Sequence, residues 1–149
     1  TLVEDESAYR RRLADVVSLS TVMKISDEDL AWMKPGVARE RAIAELLDAG
    51  VQLVVVTAGA DGATAYTASE EVFVAAKRVA VVDTVGAGDT FNGGILAWLH
   101  AAGRLDVKTI GTLSSVELTD MLTYAGAVSA VTCSRAGNDP PRADELSGQ

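Results

Sequence analysis

Residues 81–94 read VVDTVGAGDTFNGG, so that apolar residues lead into glycines, an acid and a helical pattern. The apolar start predicts a strand, the glycines predict a turn, and the spacing from Thr90 onward predicts a helix. The first turn of a helix exposes unpaired backbone N–H groups and carries a partial positive charge, so it binds an anion where no side chain blocks the approach. Gly86, Ala87 and Gly88 keep that approach open.

The acid after these glycines, Asp89, predicts the chemistry of the turn. A carboxylate in this position can take a proton from an attacking hydroxyl, while the neighbouring amides stabilise charge on a transferred phosphoryl group. The pattern therefore indicates phosphoryl transfer to an alcohol. The alternative is a plain strand-to-helix turn in which Asp89 and Thr90 only cap the helix, and composition alone leaves the two interpretations about even.

Two well-known phosphate-binding patterns do not fit these residues. A G-x-G-x-x-G dinucleotide fingerprint that starts at Gly86 would need glycine where Phe91 stands. A G-x-x-x-x-G-K-[ST] loop that starts at Gly88 has Gly94 and Ile95 where lysine and Ser/Thr are required. The turn therefore follows neither pattern, and any phosphate site here must belong to another class of protein.

Residues 83–94 resemble the second signature of the ribokinase family of sugar kinases, also called the phosphofructokinase B family, which has the form D-T-x-G-A-G-D-x-F-x-x-G. Every fixed position of that signature matches. The resemblance implies that Asp89 is the catalytic base and that the backbone amides of Gly86, Ala87 and Gly88 form an anion hole. It also implies a ribokinase-like fold and ATP-dependent phosphorylation of a sugar hydroxyl with Mg²⁺.

The same resemblance implies nucleotide contacts upstream. Thr57, Gly59 and Gly62 match a T-x-G-x-x-G segment that lines the nucleotide in the family, although a tight β-turn explains these residues equally well without the 83–94 match. Lys24 could face the nucleotide phosphates, and its alternative is a surface lysine at a strand end.

Metal sites are implied less directly. Ser26 and Asp29 stand where the family has N-x-x-E, a motif that organises magnesium, and both depart from the pattern. Organisation of Mg²⁺ through water remains open to them, and a helix cap is the alternative. Asp83 and Asn138 fall in segments that can hold a monovalent cation such as K⁺ in the family, mainly through backbone oxygens.

The alternation of elements predicts an α/β fold: a three-layer, Rossmann-like, mostly parallel sheet with helices on both faces. Strands are expected at 21–25 and 52–57, with two or three more between 63 and 82. Since ligands collect beyond the carboxyl ends of parallel strands, segments 58–62 and 84–89 should converge on a nucleotide cleft. Helices are expected at about 6–17, 26–33, 37–49, 90–102 and 114–131.

Composition limits the partners. The chain has 149 residues, 48% hydrophobic, which suits one domain, and its net charge of −8 argues against a nucleic-acid surface. No run of 18 apolar residues is present, so no membrane span is expected. One cysteine, Cys133, cannot form an internal disulfide, which favours a reducing, cytoplasmic setting. Cys133 and the single histidine, His100, are interpreted as structural residues.

The chain starts at Thr1 without methionine, and members of the resembled family are longer, so residues 1–149 are expected to be the carboxy-terminal, catalytic half of a kinase. The amino-terminal half, with most sugar-binding residues and a β-stranded lid through which a homodimer could form, would be absent. Residues 24–30 look most like fructokinases, which makes fructose the first substrate hypothesis. Ribose, 2-keto-3-deoxygluconate, a nucleoside, a non-catalytic nucleotide-binding module and an interaction-only domain remain alternatives.

Overall fold

The computed structural model describes residues 5–146, so the two ends of the predicted 1–149 domain, residues 1–4 and 147–149, lie outside it. Seven helices and four strands alternate along these residues. In chain order they are α1 (Glu6–Leu19), β1 (Val22–Ser26), α2 (Asp27–Met33), α3 (Arg39–Asp48), β2 (Leu53–Thr57), β3 (Gly62–Tyr66), β4 (Glu71–Ala75), α4 (Ala87–Ala101), α5 (Val107–Ile110), α6 (Ser115–Cys133) and α7 (Ala143–Leu146), with a short 3₁₀ turn at Gly59–Asp61.

The four strands form one sheet in the order β1-β2-β3-β4. β1 and β2 are parallel, and Ser26 lies opposite Thr57 at their carboxyl ends. The other two pairings are antiparallel, so within residues 5–146 the sheet is mixed and not mostly parallel as predicted. The connections explain this difference. Segments 58–61 and 67–70 are far shorter than the dozen or more residues that a parallel crossover needs.

Helices cover both faces of the sheet, which confirms the predicted three layers. On one face α4 and α6 pack over β2 and β3, and on the other face α2 and α3 pack over β1 and β2. β2 is buried from both sides, as its continuous apolar sequence predicts. The first core contains Leu53, Val55, Ala65, Phe91, Ile95, Leu99, Leu118, Met121 and Leu122, and the second contains Ile25, Leu30, Ile43, Leu46, Val54 and Val56.

Side-chain caps fix the starts of two helices where the sequence predicts them. Ser26 Oγ accepts a hydrogen bond from the Asp29 amide at 3.0 Å and so begins α2. Ser114 and Glu117 form a capping box that begins α6. The hydrogen bonds from Ser114 and the Arg104 guanidinium lower the pKa of the Glu117 carboxyl. Polar residues at helix ends therefore set these boundaries, as the sequence indicates.

Three details differ from prediction. Residues 79–82 form no strand, because the Val82 amide donates to the Cys133 carbonyl at 2.8 Å and leaves Val81 and Val82 exposed. The helix predicted from residue 90 already begins at Ala87. The arginine run at residues 10–12 predicts a solvated helix face, but the Arg10 guanidinium lies 4.2 Å from the centre of the Trp32 ring. Within residues 5–146, no helix combines the length and apolar character that crossing a bilayer requires.

Candidate active site

The first turn of α4 is the centre of the candidate site. Gly86 caps the helix in the left-handed conformation, with φ of +77°, and no side chain caps it. The amide of Ala87 donates to the Thr84 carbonyl at 3.2 Å. Within the described residues, the amides of Gly88 and Asp89 have no such partner, and both residues are exposed. Gly88 and Asp89 are therefore open donors, and the predicted donor Gly86 also has no such partner within the described residues, whereas the predicted donor Ala87 is already engaged.

A second contact supports glycine at position 86. A Cβ on Gly86 would lie 2.1 Å from Asn138 Oδ1, so the Asn138 side chain occupies the space that any larger residue would need. Thr90 donates its hydroxyl to the Gly86 carbonyl at 3.0 Å, and Ser129 of α6 donates to the Ala87 carbonyl at 3.0 Å. These hydrogen bonds fix the carbonyl groups of the turn and leave the amides of Gly88 and Asp89 open.

Lys24 brings a positive charge to this turn. In β1, Met23 and Ile25 face α2 and α3, so Lys24 points to the α4 side of the sheet. Its Nζ lies 2.9 Å from the position that a Cβ on Gly88 would take. No ion pair joins Lys24 to a carboxylate within the part of the chain that the structure describes. The ammonium group and the open amides therefore face the same point.

A cavity of about 450 Å³ opens beside this point. Thr57, Gly59 and Gly62 line it together with Ala87 and Gly88, so the two predicted segments do converge. The remaining wall is mostly apolar and comes from β4, segment 76–81 and α6. It includes Val74, Val79, Phe91, Leu122, Gly126 and Ala130.

At two positions that line the cavity, the local backbone explains why the residue is glycine. At Gly62, with φ of +129°, a Cβ would lie 2.2 Å from the Val74 carbonyl oxygen, so the β3–β4 pairing itself requires glycine. Gly59 has φ of +50°, and a Cβ there would meet nothing within 4 Å, so its conformation, not crowding, favours glycine. The approach to the cavity over Gly59 is therefore unobstructed by side chains.

Asp89 does not line that cavity. It borders a second groove, of about 410 Å³, between α4 and the segment that follows α6, where Asn138 is also found. The adjacent residues Gly88 and Asp89 thus face different spaces, on either side of the same helix end. The arrangement allows one ligand to reach the turn through the cavity and another to reach Asp89 from the groove.

Asp83 joins the two segments that were predicted to surround a monovalent cation. Its carboxylate accepts hydrogen bonds from the amides of Val85 and Gly137, both at 3.0 Å. These bonds, with that from Val85 as the largest cause, lower the pKa of the Asp83 carboxyl. Because its carboxylate is committed to amides, a cation bound here would depend on backbone carbonyls. The structure thus brings 83–86 and 137–138 together.

The predicted magnesium residues lie at the end of β1. Ser26 serves as the α2 cap, which is the alternative that the sequence also allowed, and Asp29 is exposed. Within residues 5–146, no group of three or more His, Cys, Asp or Glu side chains could by itself enclose a metal ion. This donor set suits Mg²⁺ only in the form it takes at phosphate sites, where the ion keeps several waters and binds few protein oxygens.

Some cavity residues were missed from the sequence. Gly126, Ser129, Ala130 and Cys133 of α6 all line the cavity. Their spacing of three and four residues places them on one helical face, and their small size was the available signal. In the sequence that signal is hidden, because small residues on a helix are equally typical of close helix packing.

The comparison with known proteins identifies the family of this chain. The chain belongs to the pfkB family carbohydrate kinases, whose family model matches residues 2–144. This result and the structural neighbours confirm the expected ribokinase-like α/β fold.

Among curated relatives, the chain is 40% identical to a fructokinase of Rhizobium leguminosarum bv. trifolii over 116 residues, which are 78% of this chain and 36% of that protein. A fructokinase double mutant of Vibrio cholerae O395, solved with fructose, ADP and potassium ion, superposes with a TM-score of 0.81 at 27% identity over 97% of this chain and 45% of that one.

An aminoimidazole riboside kinase of Salmonella enterica, complexed with aminoimidazole riboside and an ATP analogue, gives a TM-score of 0.79 at 29% identity. That match covers 96% of this chain and 46% of the neighbour. The chain therefore spans less than half the length of the relatives and structures it matches.

Proposed function

We propose that the chain is the nucleotide-binding and catalytic part of an ATP-dependent sugar kinase, which transfers the γ-phosphoryl group to a sugar hydroxyl. The observation that carries this proposal is the first turn of α4. There, the Lys24 ammonium group lies beside Gly88, the amides of Gly88 and Asp89 are open, Gly88 lines the 450 Å³ cavity, and Asp89 borders the groove on the other side of the helix end. Family membership supports the same reaction.

The residues divide the chemistry between them. Asp89 accepts the proton of the attacking hydroxyl, which reaches it from the groove. The amides of Gly88 and Asp89 stabilise the negative charge on the phosphoryl oxygens, and Lys24 adds a positive point charge on the same side. Gly86 keeps this turn in its left-handed conformation. Transfer thus takes place across the end of one helix, with donor and acceptor on opposite sides.

ATP occupies the cavity in this proposal. Its phosphates lie toward Gly88, and Thr57, Gly59 and Gly62 line the path along it. A bound Mg²⁺ would supply positive charge that offsets the negative charge developing on the phosphates. Ser26 and Asp29 would hold it through its water shell, since Ser26 lies opposite Thr57 at the end of β1 and Asp29 lies in the first turn of α2 that follows.

A monovalent cation would lie between the segments that Asp83 and Asn138 bring together. The Vibrio cholerae neighbour was solved with potassium ion, which makes K⁺ the candidate. In this proposal the carbonyl groups of the two segments bind it, and the Asp83 carboxylate positions the loop.

Fructose is the proposed acceptor, because fructokinases are among the relatives of this chain. A nucleoside-like acceptor is the second candidate, favoured by the likeness to aminoimidazole riboside kinase. Ribose and 2-keto-3-deoxygluconate remain further alternatives. Because the chain covers 36% of its fructokinase relative, we place the sugar-binding residues and a lid in a separate amino-terminal half, and a homodimer and a cytoplasmic location belong to this proposal.

Two measurements test the proposal. Calorimetry with ATP and Mg²⁺ on the complete protein that carries this chain should show binding, and ADP release should then depend on added fructose or on another sugar of a panel. ATP binding without release of ADP for any sugar would favour the non-catalytic nucleotide-binding module. Absence of nucleotide binding would contradict both and favour an interaction domain.

A further inference from the structure

Side-chain hydroxyl groups bind the backbone carbonyl groups in the first turn of α4. Ser129 of α6, 42 positions away in the chain, donates to the Ala87 carbonyl at 3.0 Å. The Thr90 hydroxyl lies 3.0 Å from the Gly86 carbonyl and 3.1 Å from the Ala87 carbonyl. The Thr90 amide also donates to the Gly86 carbonyl, at 2.9 Å, and this is the ordinary bond of an α-helix. The hydroxyl bonds are therefore additional to those that form the helix.

The Ala87 carbonyl is joined to the candidate site through its own peptide group. The Ala87 carbonyl and the Gly88 amide lie in one rigid plane, because the bond between them has partial double-bond character. In a helix the carbonyl of each peptide group points toward the carboxyl end and the amide points toward the amino end. A donor that holds the Ala87 carbonyl therefore also fixes the direction of the Gly88 amide, at the helix end that borders the cavity.

The same hydrogen bond makes the Gly88 amide a stronger donor. A carbonyl group that accepts a hydrogen bond is polarised, and in chains of hydrogen bonds this strengthens the next bond by about 10–30%. The Ala87 amide is already engaged with the Thr84 carbonyl, whereas the Gly88 amide has no such partner within the described residues. The Ser129 hydroxyl thus acts on an amide that is free to stabilise an anion.

Thr90 alone does not serve both carbonyl groups. A hydroxyl group has one proton, so Thr90 donates at full strength either to the Gly86 carbonyl or to the Ala87 carbonyl. Because Ser129 donates to Ala87, the Thr90 proton remains for Gly86. The Gly86 carbonyl shares a peptide plane with the Ala87 amide, whose bond to Thr84 closes the turn. Together the two hydroxyl groups hold both peptide groups that lead into the site.

We propose that Ser129 is a positioning residue for phosphoryl transfer: its hydroxyl group orients and polarises the Ala87–Gly88 peptide group, so that the Gly88 amide stabilises charge on the transferred phosphoryl group. This inference rests on the proposed function, since it assumes that the charge of the transition state develops at the first turn of α4. Ser129 also lines the cavity, but its single proton is committed to the Ala87 carbonyl. Ser129 should therefore affect the rate of transfer and not the affinity for ATP.

The first test removes the hydroxyl group. On the complete protein with its best sugar, Ser129→Ala should lower kcat by about two- to tenfold, as expected for the loss of one neutral hydrogen bond, with little change in the KM for ATP. Ser129→Thr keeps a hydroxyl group and should restore most of kcat. Parental kcat in Ser129→Ala overturns the inference, and so does a rise in the KM for ATP with no change in kcat.

Ser134→Ala is the matched control for this test. Its hydroxyl group donates to the Val131 carbonyl at 2.7 Å, next to the end of α6, and Ser134 does not line the cavity. The control therefore loses the same kind of bond from the same part of the chain and should keep the kcat of the parent. An equal loss of kcat in Ser134→Ala and Ser129→Ala would show a general effect of such deletions and would overturn the special role of Ser129.

A second measurement distinguishes positioning from a structural role. Aluminium fluoride, bound with ADP, Mg²⁺ and the sugar, imitates the phosphoryl group during transfer. In Ser129→Ala the affinity for this complex should fall by the same factor as kcat, while the affinity for ADP alone is unchanged, because the Gly88 amide acts on the phosphoryl group. An equal loss of affinity for ADP alone would show that the variant disturbs the whole cavity and would overturn the inference.

The single proton of Thr90 provides the third test. Within residues 5–146, the hydroxyl groups that bind the Ala87 carbonyl are those of Ser129 and Thr90. Thr90→Val should therefore lower kcat by a larger factor in the Ser129→Ala background than in the parent, since Thr90 is then the remaining hydroxyl donor. Equal factors would overturn the shared role of the two hydroxyl groups. If the parent binds no nucleotide and phosphorylates no sugar, the proposed kinase function fails, and this inference fails with it.

Discussion

Two neighbouring glycines of α4 allow a sharp test of how α4 and α6 pack. A Cβ on Gly93 would meet nothing within 4 Å, whereas a Cβ on Gly94 would lie 2.8 Å from Ala125 Cα and 3.2 Å from Ala125 Cβ. Both positions lie in the same helix, so replacement by alanine gains about 1 kcal/mol of helix propensity at each. Only Gly94→Ala also forces two helix backbones apart, and such overpacking costs about 1–3 kcal/mol.

The propensity gain cancels when the two variants are compared with each other. Gly93→Ala should therefore exceed Gly94→Ala in the free energy of unfolding by about 1–3 kcal/mol, and Gly93→Ala alone should be more stable than the parent. Urea denaturation of both variants, with the slope checked for equality, measures this difference. Equal stability of the two variants would refute the close approach of α4 and α6 at Ala125.

Two further predictions concern the site. Lys24→Met should lower kcat by about a hundredfold, as expected for the loss of one preorganised donor at the phosphoryl group. Lys108→Met on the exposed surface should leave kcat unchanged. Parental activity in Lys24→Met would contradict the role of Lys24 at the phosphoryl group. Asp83→Asn should lower the urea midpoint at pH 7. The pKa of Asp83 is depressed in the folded state, so its charge stabilises the fold above the ordinary value of 3.8, and this contribution is lost as the pH falls below it. The difference between Asp83→Asn and the parent should shrink as the pH is lowered from 7 to below 3.8, and a difference that stays constant over this range would show that the carboxylate charge is not its cause.

The sequence predicted those parts of the fold that local patterns determine. The apolar run of β2 and the starts of α2 and α6 at Ser26 and Ser114 lie where they were expected. The convergence of 58–62 with 84–89 was also predicted, because both segments follow predicted strands. These features depend on a few neighbouring residues, and their physical causes can be identified without the rest of the chain.

Features that depend on distant contacts were not predicted. Val81 and Val82 have the composition of a strand, but the Val82 amide bonds to the Cys133 carbonyl, 51 positions later in the chain. The apolar pattern of residues 90–102 predicts that Leu96 is buried, but Leu96 is 42% exposed, because the buried face of α4 follows positions 91, 95 and 99. β3 and β4 each run antiparallel to the strand before them, because short turns connect the strands. The sequence pattern did not distinguish these turns from the longer connections that join parallel strands.

In the candidate site, too, local motifs were predicted from the sequence and contacts between distant residues were not. Motif matching singled out Asp89 and Gly88, and Lys24 was a candidate to face the phosphates, but only the structure places the Lys24 ammonium group beside Gly88. It also shows that the Ala87 amide is engaged with Thr84, a local bond that could not be foreseen without the starting point of the helix.

The role of Asp89 is the central claim, and the turnover of Asp89→Asn in the complete protein tests it most directly. Asparagine keeps the size of the side chain and leaves the backbone amides of the turn in place, but it cannot accept the proton. We predict that kcat falls by about 10²–10⁴-fold with little change in ATP affinity, while the exposed Asp120→Asn behaves like the parent. Turnover of Asp89→Asn close to that of Asp120→Asn would contradict the proposed mechanism.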